Sequence, residues 1–157
     1  MTDLITGSDH RGFELKCAIE KHLVPIDKDI TSDIVTYLDC GCYDSKAKVD
    51  YPDVVKSLAL EMKSVFDRGI LVCGSGFGVA IAANRYPHIR AVTVRTPKEA
   101  EMARLHNDAN VLCLGADFTS KKDALKIVDK FLTTEFEGGR HKDRLAKLTS
   151  MLMPRFV

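Results

Sequence analysis

The sequence predicts an α/β fold with a largely parallel sheet. Short apolar runs alternate with stretches of helical periodicity along the whole chain, and several of the runs end in glycine turns. The first strand is expected at Leu4 to Thr6, followed by a turn at Gly7-Ser8. Asp9 then caps a helix running to about Val24, with Phe13, Leu15, Ala18, Ile19 and Leu23 as its apolar face, and Pro25 stops it. A second strand is expected at Ile34 to Leu38, and the polar stretch Cys40 to Asp50 reads as a loop. Tyr51-Pro52-Asp53 opens a helix with Val54, Val55, Leu58, Ala59, Met62, Val65 and Phe66 on one face. The strand Ile70 to Cys73 leads through Gly74-Ser75-Gly76-Phe77-Gly78 into a small-residue helix, Val79 to Asn84. A strand at Ile89 to Val94 precedes a helix capped by Thr96-Pro97 that runs to about Leu105. Val111 to Leu114 is the fifth strand, and Ser120 caps a helix to about Thr133. Gly138-Gly139 breaks the chain before a last helix, about Arg140 to Leu152.

The 157 residues fit one domain, 1–157, large enough to bury its own core. The chain is 45% hydrophobic with a net charge of +1, so disorder and general electrostatic binding to nucleic acid are both disfavoured. The longest nearly apolar stretch, Ile70 to Ala83, carries three glycines and a serine and is too short for a membrane span. Asp3 stands where a signal peptide would be basic, which predicts a cytoplasmic chain. Five cysteines form no CxxC, and no histidine pair has zinc spacing. Free thiols are expected, Cys40-Gly-Cys42 is too isolated for a metal site, and Cys17 and Cys113 read as buried filler.

Ligands of open α/β sheets bind beyond the carboxyl ends of the strands. The segment 73–78 lies there, and its backbone N–H groups can converge on an anion. It is no Walker A, since no Gly-Lys-Ser/Thr follows, and Val79 replaces the third glycine of a dinucleotide fingerprint. A tight turn needing glycine for packing explains it equally well. Cys73 stands where convergent N–H groups favour a thiolate, or simply ends a buried strand. Asp9 and His10 follow the first strand and suit a sugar hydroxyl and a phosphate, although Asp9 also reads as a helix cap. His106 is an acid/base candidate or a cation at a helix end. Arg140 and Arg144, four residues apart, share a helix face and form a phosphate clamp or a solvated basic patch.

Taken in order, GSDHRGFELK (7–16), DYPD (50–53), ILVCGSGFGVAIAANR (70–85), IRAV (89–92), LHNDANVLCLG (105–115) and EGGRHKDR (137–144) resemble the type B ribose-5-phosphate isomerase family, which includes galactose- and allose-6-phosphate isomerases. The resemblance implies a three-layer αβα sandwich with a five-stranded parallel Rossmann-like sheet. It implies a homodimer, in some members a tetramer, with the C-terminal helix used in dimerisation and active sites between subunits. It implies interconversion of ribose 5-phosphate and ribulose 5-phosphate without metal or cofactor. By position, Cys73 matches the base that moves a proton between C2 and C1. Gly74, Gly76, Phe77 and Gly78 match the enediolate-binding loop, with Ser75 assisting. His106 with Asp9 matches the ring-opening group, Asn107 a hydrogen-bonding position and Tyr51 a residue lining the sugar. His10, Arg140 and Arg144 match the phosphate contacts.

Two features depart from the pattern. Asp117 stands where many members have arginine, so one phosphate contact is missing or supplied elsewhere. The segment 24–50 is longer than in compact members and alters either the rim of the site or the dimer edge. Two other functions remain open at this point. One is an isomerase of another sugar phosphate: allose 6-phosphate, galactose 6-phosphate or a tetrose phosphate. The other is a non-catalytic phosphate-binding module, which needs the loop and the arginines but not Cys73 or His106.

Overall fold

A computed structural model describes residues 2–23, 34–64 and 66–151. Its strands are β1 (Thr2–Ser8), β2 (Ile34–Asp39), β3 (Arg68–Cys73), β4 (Ala91–Thr93) and β5 (Val111–Gly115). Its helices are α1 (Phe13–Leu23), α2 (Tyr51–Glu61), α3 (Phe77–Ala83), α4 (Pro97–Asn107), α5 (Lys121–Thr133) and α6 (Arg140–Ser150). All strand pairs are parallel, in the order β2-β1-β3-β5-β4. The chain steps outward from β1 to β2, then returns to place β3 on the other side of β1. The β1/β3 junction is therefore the switch point at which such sheets bind ligands.

Side chains alternate across each strand, so β3 feeds two cores. Ile70 and Val72 pack with Leu15, Ile19, Ala100, Ile127 and Phe131 of α1, α4 and α5. Leu71 and Cys73 pack on the other face with Val54, Val55, Leu58 and Val79 of α2 and α3. Complete burial of a side chain such as Leu71 stabilises the fold by about 1.5–3 kcal/mol.

Several elements differ from expectation for identifiable reasons. α1 begins at Phe13, because Asp9 Oδ1 accepts the N–H groups of Arg11 (3.0 Å) and Gly12 (2.9 Å) and holds a separate turn ahead of the helix. Asp9 thus caps that turn and not the helix. α2 ends at Glu61: buried Asp67 takes the Lys63 and Ser64 N–H groups at 2.8 and 2.7 Å, which turns the chain away. Phe66 is consequently exposed and leaves the predicted apolar face. β4 is shorter than Ile89 to Val94, since the Asn110 side chain takes the Arg90 N–H and the Asn84 amide brackets Ala91. α3 starts two residues earlier than expected, and α4 runs on to include His106 and Asn107. Cys17 is half-buried, while Cys113 is fully enclosed. Val24, Pro25, Val65 and Leu152 lie outside the described residues. The caps read at Thr96 and Ser120 form, the first as a full capping box with Glu99.

Candidate active site

Cys73 closes β3 at the switch point and is 4% exposed. The Gly76 N–H donates to its Sγ at 3.1 Å. Gly76 holds φ +80°, and a Cβ there would lie 3.0 Å from Gly115 N. Gly115 is crowded in return, since a Cβ on it would lie 2.5 Å from Ser75 O. The glycine loop is pinned further by Thr93 Oγ1, which donates to Gly76 O at 2.9 Å, and by the Ala116 N–H, which donates to Cys73 O at 2.9 Å. Ser75 Oγ accepts the Phe77 N–H at 3.3 Å. The loop is thereby rigid around the thiol.

The turn after β1 lies beside it, because the Asp9 N–H donates to Val72 O at 3.2 Å. Among the described residues Asp9 Oδ2 has no protein partner, which leaves it available to a ligand. His10 rests its Nδ1 against the backbone of Val49 at 3.3–3.4 Å. Tyr51, the first residue of α2, lays its ring on Gly78, where a Cβ would come within 2.9 Å of Tyr51 Cζ. Cys73, Asp9, His10, Tyr51 and the 74–78 loop thus share one end of the sheet.

His106, Asn107, Arg140 and Arg144 lie at the other end. α4 runs against the strand direction, and Asn110, just beyond it, accepts the Gly69 N–H where β3 begins. At about 3.3 Å per residue, Cys73 is roughly 13 Å further along the strand. His106 therefore does not meet Asp9 within one chain. Buried Arg104 fixes this end of α4 through Asp108 Oδ1 (2.8 Å), Ala109 O (2.6 Å) and Thr134 O (3.1 Å).

Sequence reading missed two members of this second cluster. His141 stacks on His106, with ring centroids 4.3 Å apart and planes at 7°. Glu137 Oε2 stands 3.6 Å from His106 Nε2 and 3.8 Å from His141 Nε2. The signal was present, since His141 sits between Arg140 and Arg144 on α6. These three side chains offer ligand atoms within 4.8 Å of one another. The parallel rings, however, aim their lone pairs side by side and do not converge on one point, so the arrangement suits proton handling better than metal coordination.

Burial, followed by the charges of His106 and Arg140, pushes the pKa of His141 below the ordinary imidazole value, with Glu137 acting in the opposite sense. The unfolded chain then binds the proton that the folded chain refuses. Stability should fall as pH drops below about 6.5 toward the lowered folded value. His141→Asn should flatten that slope, as read from urea midpoints at several pH values between 7.5 and 5.5. An unchanged slope would clear His141 of the effect.

A family profile described as ribose/galactose isomerase matches residues 4–148. The chain belongs to the ribose/galactose isomerase family. Ribose-5-phosphate isomerase B of Escherichia coli K12 is 38% identical over 152 residues, 96% of this chain and 97% of its own. The ribose-5-phosphate isomerase B of Mycoplasma genitalium, solved with bound ribulose 5-phosphate, superposes with a TM-score of 0.85 at 40% identity, covering 95% of each chain. The Thermotoga maritima enzyme gives 0.84 at 40% identity, over 94% and 97% of the two chains. The expected three-layer fold of a ribose/galactose isomerase, with five parallel strands, is the fold observed. Among the described residues no helix is long and apolar enough to cross a membrane.

Proposed function

We propose that this ribose/galactose isomerase interconverts D-ribose 5-phosphate and D-ribulose 5-phosphate through an enediolate, as a homodimer with composite sites. One copy supplies Cys73, Asp9, His10, Tyr51 and the 74–78 loop; its partner supplies His106, Asn107, Arg140 and Arg144. The observation that carries this reading is the buried Cys73 thiol, seated in a rigid glycine loop at the switch point. The separation of the two clusters supports a second copy. Phe77, Ile81 and Phe118 are exposed apolar residues on or near the carboxyl end, and Leu148 and Met151 are exposed at α6. A cavity of about 730 Å³ beside α6, lined in part by Ile89, Phe136 and Leu145, offers room for side chains of the partner.

The chemistry follows in order. The furanose opens as a proton leaves the C1 hydroxyl and another reaches the ring oxygen, with Asp9 and the partner copy's His106 as acid and base. The Cys73 thiolate then takes the proton from C2 of the aldehyde. Charge passes to the carbonyl oxygen, where the loop N–H groups stabilise it. The hydroxyl proton on O2 passes to O1, the charge moves to O2, and the Cys73 thiol returns its proton to C1, which gives the ketose. Tyr51 walls the sugar side, and the paired arginines hold the phosphate dianion.

A coupled assay on ribose 5-phosphate tests the reading, with galactose 6-phosphate and allose 6-phosphate as comparators. Turnover confined to a six-carbon substrate would replace the pentose, and folded protein inactive on all three would end the isomerase reading. Arg144→Ala should raise KM for ribose 5-phosphate by about 10–100-fold, the worth of a charge-assisted hydrogen bond. A change below threefold would make α6 a solvated basic face.

A further inference from the structure

We propose that Arg11 binds the substrate phosphate, positioned for that role by Asp117. The inference rests on the isomerase reading of the same site and adds a ligand to it. Arg11 stands on the turn that carries Asp9 and His10, with its own N–H held by Asp9 Oδ1 at 3.0 Å. Its side chain crosses to the glycine loop: a Cβ on Gly74 would lie 2.9 Å from both Cζ and Nε of Arg11. The guanidinium therefore fills the space directly over the residue that follows Cys73.

Asp117 holds it there through an Nη2–Oδ2 ion pair, and the Asp117 N–H itself donates to Gly74 O at 3.0 Å. Both members of the pair are thus referenced to one glycine. The two side chains are 59% and 43% exposed, so the pair adds little to stability. A guanidinium has five N–H donors, and Asp117 engages one nitrogen, which leaves an open fork of the shape that takes phosphate oxygens in pairs. The turns after the five strands carry two arginines, Arg11 and Arg95. The Arg95 guanidinium stands beside the rings of Phe77 (5.7 Å) and Phe118 (5.0 Å), which turn it toward the outer side of the loop. Lys16 is buried and paired with Asp39 at 2.5 Å. Arg11 is the arginine whose guanidinium lies against Gly74 itself. It meets the need left by Asp117, whose carboxylate cannot bind a phosphate but can aim the side chain that does.

The test compares wild type, Arg11→Ala, Arg11→Lys and Asp117→Asn by titration with inorganic phosphate, KM for ribose 5-phosphate, and Tm. Arg11→Ala should weaken phosphate binding about tenfold and raise KM more than it lowers kcat. Arg11→Lys, which keeps the charge and loses the fork, should fall between. Asp117→Asn keeps an acceptor for Arg11 and removes a repelling charge, so it should tighten phosphate binding. A merely structural pair would lower Tm in Arg11→Ala and Asp117→Asn alike and move phosphate affinity in neither. Phosphate affinity of Arg11→Ala within twofold of wild type overturns the inference, whatever the turnover. Loss of phosphate binding in that variant alongside a wild type inactive on ribose 5-phosphate would leave the anion site standing and remove the substrate.

Discussion

Cys73→Ala should lower kcat on ribose 5-phosphate by about 10²–10⁴-fold, the usual contribution of a positioned acid or base. The thiol is the one titratable side chain that ends β3 inside the glycine loop, and the Gly76 N–H already aims at its sulfur. Alanine removes the proton acceptor and keeps the backbone, so the donors for the enediolate remain. Binding of substrate should survive, because the phosphate and hydroxyl contacts lie on other residues. Single-turnover kinetics with ribulose 5-phosphate, beside a binding titration, separate the two effects. Retention of more than half the wild-type kcat would take Cys73 out of the proton transfer.

The second large effect is recovery of activity by mixing two dead proteins. Cys73→Ala and His106→Ala should each be nearly inactive alone. In a mixed dimer, one site joins an intact Cys73 from one copy to an intact His106 from the other, and the second site carries both lesions. Random pairing makes half the dimers mixed, so co-refolded protein should regain about a quarter of wild-type activity. The expectation rests on the proposed shared site: within one chain Cys73 ends β3, while His106 lies toward the end of the sheet where β3 begins. Activity no greater than the average of the two variants would mean that the clusters do not form a shared site.

The glycine loop and its cysteine were legible because a strand, a turn and a helix in immediate succession are a local pattern. The caps at Thr96 and Ser120 were legible for the same reason. The burial of Lys16 was not. It occupies what periodicity marks as a polar position, and only the fold brings Asp39 to its Nζ at 2.5 Å and Glu20 to 3.4 Å. The helix end at Glu61 was equally hidden, since Asp67 terminates it from beyond the last turn. In the site, Cys73, Asp9 and His10 lie where the strand ends place them. His106 could have been assigned to the far end by noting that a crossover helix finishes where the next strand begins. Glu137 and Arg11 needed coordinates, because each finds its partner across a long stretch of chain.

Gly76 and Gly115 lie where the 74–76 loop and the end of β5 touch backbone to backbone, and neither has room for a side chain. This contact shapes the mutational landscape of the chain. A methyl group on Gly115 would drive into Ser75 O and shift the loop around Cys73, while one on Gly76 would add strain from its positive φ to a clash with Gly115. Neither position offers a first step that the other could later compensate. One contact thus ties two positions, 39 apart in the sequence, to glycine, and a substitution that reshapes the rim of the pocket must leave both in place.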